Sequence, residues 1–152
     1  MNMTRSLSAV ALAIGMTCGP ALLAAEGTDA PLFFEGDMVS ETAGCVLANQ
    51  FAHGDVVVFR VRVLDATGAQ LGDDDLASLT VSLPDGQSFD MHYGGHPPGD
   101  DLDFYWTVTW MIPDDYPTGT LGYHVTATGK DGATHDWAPF HMPPSTLTII
   151  PG

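Results

Sequence analysis

The chain has 152 residues, nineteen Asp or Glu against four Lys or Arg, and a formal net charge of −15. So acidic a surface repels nucleic acid and anionic lipid, favours cations and basic partners, and also serves solubility. Its length leaves room for one domain once an N-terminal leader is set aside.

Residues 1–25 have the form of a secretory signal: Arg5 precedes an apolar run from Leu7 to Met16, and Ala24 and Ala25 stand before Glu26. A membrane-spanning helix needs roughly 20 continuous apolar residues. Here Thr17, Cys18, Gly19 and Pro20 interrupt the run, so cleavage and export to a periplasm or the exterior are expected, with no membrane attachment afterwards. Residues 26–44 read as a flexible lead and 45–152 as the folded body. Cys18 leaves with the signal. Cys45 then has no intramolecular partner and reads as a metal ligand, a dimer bridge or a buried inert residue.

A strand is predicted over 55–64, with Val57, Phe59, Val61 and Val63 on the core face and Arg60 and Arg62 on the other. Asp65 to Gly68 form a turn, and the acidic stretch 70–77 is a connecting loop or a charged edge. Leu79, Val81 and Leu83 alternate with polar residues, and Pro84-Asp85-Gly86 turns the chain into a strand over 88–93. There Phe89, Met91 and Tyr93 share one face, while Asp90 and His92 share the other. Residues 94–101 read as a loop. Phe104, Trp106, Val108, Trp110 and Ile112 then keep one parity, as do Leu121, Tyr123, Val125 and Ala127 after a turn at Pro117. A turn follows over 129–133, and the last strand, over 135–150, is interrupted by Pro139, Pro143 and Pro144. About seven strands with no helical period predict an all-β antiparallel sandwich.

The run Ile112-Pro113, Pro117-Thr118-Gly119-Thr120, Tyr123-x-Val125-x-Ala127, Asp131-Gly132 and closing Leu147-Thr148-Ile149 resembles bacterial immunoglobulin-like (fibronectin-III-like) domains of exported and cell-surface proteins. The resemblance covers 55–150. It implies a single immunoglobulin-like β-sandwich of about seven strands, acting as a spacer, adhesion module or accessory subunit. The chain departs from a plain spacer in standing alone and in its collection of His, Met and Cys.

Residues able to carry chemistry are Cys45, His53, Met91, His92, His96, His124, His135, His141 and Met142. Thiolate, imidazole and thioether suit copper, and thiolate with imidazole suits zinc. If 45–51 is the first strand and successive strands run antiparallel, then Cys45, His92, His96 and His135 converge at one pole. His53 lies at the other, and His124 faces outward. Met91 or Met142 is the axial candidate of such a metal site. Against this stand ordinary core packing for Cys45 and Met91 and surface or capping roles for His53 and His141. Asp100, Asp101 and Asp103 lack a calcium-loop pattern and read as a solvated face. Trp106, Trp110, Tyr123 and Phe104 read as core, whereas Trp137 and Phe140, set among prolines, read as a partner-facing patch. Asp114 and Asp115 do not face one another, and no nucleophile elbow is present, so no enzyme is expected.

Two functions follow. One is a non-enzymatic exported protein that holds a transition metal, copper first and zinc as the alternative, or docks a redox partner near Cys45, His92, His96 and His135. The other is a metal-free structural or interaction module that joins another exported protein through its acidic surface and open strand edges.

Overall fold

The computed structural model describes residues 30–96 and 103–152. The expected signal over 1–25, the first residues of the lead, and Asp100 and Asp101 lie outside the described residues. What is described is all-β, with one 3-10 turn at Pro143–Ser145. In chain order the strands are β1 (Phe33–Ser40), β2 (Val46–Leu47), β3 (Gln50–Ala52), β4 (Val56–Leu64), β5 (Leu76–Ser82) and β6 (Ser88–Asp90). Then come β7 (His92–His96), β8 (Asp103–Met111), β9 (Gly119–Leu121), β10 (His124–Gly129), β11 (Thr134–Trp137) and β12 (Leu147–Ile150).

The alternation in β4 places it at the centre. Val57, Phe59, Val61 and Val63 are buried, and the strand is paired on both sides in a five-stranded sheet of order β2-β1-β4-β8-β7. A four-stranded sheet, β11-β10-β5-β6, lies against it and sends in Leu79, Val81, Val125 and Ala127. A three-stranded sheet, β3-β12-β9, adds Phe51, Leu147 and Ile149 to the same core. Rings join the layers: Phe89 meets Trp110 at 6.4 Å, and Tyr123 stands edge-on to Phe59 at 5.1 Å. Each fully buried Val, Leu, Ile or Phe contributes about 1.5–3 kcal/mol.

Among the described residues twelve strands stand where about seven were expected, partly because two long runs change sheets. The run over 88–96 passes from β6 to β7 at buried Met91, and that over 119–129 passes from β9 to β10 at Gly122 and buried Tyr123. Gly94 to His96, expected in a loop, belong to β7.

The larger correction concerns the lead. Within 26–44 lies β1, paired along its whole length with β4 from Phe33↔Leu64 to Ser40↔Val57, with Met38 and Val39 buried. Gly36 disguises this strand. A Cβ there would lie 2.7 Å from Trp137 Cη2 and 2.9 Å from Cζ3, so the glycine is the space into which the indole fits. The acidic residues of β1 are engaged as well. Asp37 accepts two hydrogen bonds from Arg60 at 2.7 and 2.6 Å, Glu35 lies 3.7 Å from Arg62, and the Tyr105 ring has both guanidinium groups 5.2 Å from its centroid. Both arginines of the body are thus matched by acids of the segment expected to be loose.

The two layers are joined along one side by the β6-to-β7 crossing. On the other side β1 and β11 approach without pairing.

Candidate functional site

The four residues expected at one pole do not meet. Register aligns His92, Thr107, Arg60 and Asp37 in one row across the large sheet, and Tyr93, Trp106, Val61 and Gly36 in the next inward-facing row but one residue along. His96 is therefore near the Phe33 end of the sheet. Cys45 is exposed beyond the opposite end of β1, where its N–H donates to the Ser40 carbonyl at 2.8 Å. The ends of β1 are separated by about 23 Å at roughly 3.3 Å per residue, and β7 is displaced from β1 by about 14 Å, three spacings of ~4.8 Å. Ligands of one zinc or copper ion at about 2.0–2.3 Å lie within roughly 4.6 Å of one another. Cys45 shares no ion with His92 or His96 in this arrangement.

His135 lies on β11 opposite Ala127 and lines the seam beside Phe34, at the edge of the molecule away from β7. Among the described residues no group of three or more His, Cys, Asp or Glu is placed to hold an ion. The reason is the extra strand. With β1 as the first strand, Cys45 moves to the end that carries His53, where Glu41 N–H bonds the Val56 carbonyl. His53 Nε2 donates to the Tyr116 carbonyl at 2.8 Å. His124 and His141 are exposed, Met91 is in the core, and Met142 is largely exposed.

A different feature stands out on the side where β1 and β11 approach. A groove of about 560 Å³ runs between them. One wall is the edge of β1 from Phe34 to Met38; the other is Trp137 with the segment that follows it, and Tyr123 lies between. Trp137 stacks on Phe34 at 6.0 Å with 9° between planes and meets Tyr123 edge-on at 6.3 Å. Phe140 and Leu47, on its rim, are 79% and 70% exposed. Asn49 Nδ2 donates to the Pro143 carbonyl at 2.7 Å and ties the second wall to the body. Burial, aided by the charge of Asp37, pushes the Tyr123 phenol up to about 12.

Backbone polarity completes the groove. β2 pairs only with Val39 and Ser40 of β1, and Ala48 N–H then reaches the Met38 carbonyl. By the alternation of an antiparallel ladder, the N–H and C=O of Phe34 and Gly36 point to that same side. Among the described residues nothing pairs with them there. The site can thus hold apolar side chains among aromatic rings and hydrogen-bond a main chain. It offers no paired nucleophile and base.

Trp137 and Phe140, singled out in the sequence, both line this groove. Phe34, Gly36, Asp37, Met38 and Leu47 were missed. The signal available for them was the alternation Phe34, Gly36, Met38, with the glycine taken as a member of the face rather than a break. No protein-family model matches the chain, and comparison with curated proteins and with solved structures likewise gives no match.

Proposed function

We propose that the protein is an exported, non-enzymatic interaction module with an immunoglobulin-like sandwich, which docks a protein partner in the groove between β1 and β11. The observation that carries this reading is the exposed aromatic and aliphatic rim, Phe140 and Leu47, continuous with the half-buried Trp137. Contiguous apolar surface of this kind marks binding sites, and a concave site lined by rings with a few polar groups is the usual form. The net charge of −15 would steer basic partners toward the molecule and keep its own copies apart. Cys45, set apart from His92, His96 and His135, lends no comparable support to a metal centre, and among the described residues no group of three or more His, Cys, Asp or Glu is placed to hold an ion.

The test is site-specific photo-cross-linking in the native envelope. A photoreactive residue in place of Phe140 should give a discrete adduct, and one in place of Met111, which is 66% exposed on the large sheet, should not. Equal labelling from both positions, or none from Phe140, refutes the groove as the docking site.

A further inference from the structure

We infer that the groove takes its partner by strand addition: an extended segment of alternating apolar and Lys or Arg residues lies along the free edge of β1 and continues the five-stranded sheet. This deepens the docking reading and rests on it. Three observations specify the occupant.

The first is the main chain of Phe34 and Gly36, unpaired on this side among the described residues. Natural sheets cover or blunt such edges. Here the facing segment makes no main-chain bond to them among the described residues, and three of its residues, Pro139, Pro143 and Pro144, have no N–H to give. The edge from Phe34 to Met38 spans about 13 Å, enough for four or five residues of an added strand.

The second is the asymmetry of the two faces. An added strand points alternate side chains inward, beside Phe34, Trp137 and Tyr123, and the others outward, beside Glu35 and Asp37. The inward set meets the rings of Phe34, Trp137 and Tyr123, with Asn49 and Ser145 among the lining residues, so it should be chiefly Val, Ile, Leu or aromatic. The outward set meets carboxylates whose side chains are 61% and 41% exposed.

The third is charge. Arg60 and Arg62 each face one of these acids across β1 and β4, but the molecule as a whole is at −15. A second copy laid edge to edge would set Glu35 and Asp37 against their own kind. Like charges directly opposite in a sheet destabilise it, and opposite charges stabilise it. A basic, alternating segment satisfies backbone, rings and field together.

The experiment uses the whole protein and a blocked peptide of alternating Lys and Val, with calorimetry for affinity and amide exchange for the site. Saturable binding is expected, weaker at high salt, with new exchange protection at Phe34 and Gly36. A peptide with Glu in place of Lys should not bind. Two further peptides carry N-methyl groups on the amides of one parity or the other. One should lose affinity about tenfold or more and the other should keep it, because only one set of amides faces β1. No binding of the Lys peptide, or equal affinity for both N-methylated forms, overturns strand addition; the cross-link from Phe140 then still stands or falls by itself. Binding unaffected by Phe140→Ala, a change at an exposed position that leaves the core intact, removes the groove as well. A dimer of the free protein that the peptide fails to displace assigns the edge to a second copy and overturns the basic occupant.

Discussion

Gly36→Ala is the sharpest probe of how the groove is built. In an ordinary strand interior the change should stabilise by about 0.5–1 kcal/mol, because alanine loses less backbone freedom on folding. Here the new Cβ would stand 2.7 Å from Trp137 Cη2, and the ring is hemmed in by Phe34 at 6.0 Å and Tyr123 at 6.3 Å. Overpacking costs about 1–3 kcal/mol, and disturbing one aromatic pair adds about 0.5–1.5 kcal/mol. The balance is a net loss of about 1–3.5 kcal/mol, on the order of 5–10 °C in Tm for a domain of this size. Urea unfolding followed by circular dichroism and tryptophan fluorescence measures it. The Gly36→Ala/Trp137→Phe double variant, whose smaller ring lacks the clashing atoms, should recover at least about 0.5 kcal/mol of coupling. A Gly36→Ala protein as stable as wild type, with no coupling to position 137, would show that the indole is not seated on the glycine.

Two further outcomes test other parts of the structure. The Tyr123 phenol titrates near 10 in the unfolded chain and is pushed up to about 12 in the fold, so its contribution is fully present below pH 10 and is lost as pH rises through 12. The loss amounts to about 2–3 kcal/mol, since the unfolded chain releases a proton that the folded chain retains; denaturant melts across this range should show it, with a shallower decline in Tyr123→Phe. For metals, titration of wild type, Cys45→Ser and His96→Ala with Cu²⁺ or Zn²⁺ should reveal no shared site. Matching losses of about tenfold or more in affinity in both variants would restore a common centre.

Which parts of this molecule could be read from its residues follows from how local each signal is. β4 and β8 were legible because buried residues alternate with less buried ones within a single element: Phe59, Val61 and Val63 about Arg60 and Arg62 in one, Trp106 and Trp110 in the other. The break at Met91 was not, because Phe89, Met91 and Tyr93 keep one parity while crossing from one sheet to the other around a shared core. β1 was hidden by Gly36, whose missing side chain is supplied by an indole far along the chain. That omission carried further. Without β1 the strand count was one short at the start, and Cys45 was assigned to the wrong end of the molecule. Half of the groove was visible in Trp137 and Phe140, whose proline neighbours mark a segment that cannot join a sheet interior. The opposing wall depends on a tertiary contact that no local pattern announces.

The seating of Trp137 on Gly36 also has a kinetic meaning. The two residues are separated by roughly 100 positions, and contacts of such separation form late because the intervening loop must first close. Neither an emerging N-terminal half nor a partly collapsed chain can present the finished cleft. A partner of the proposed kind would therefore meet the cleft only on molecules that have completed folding.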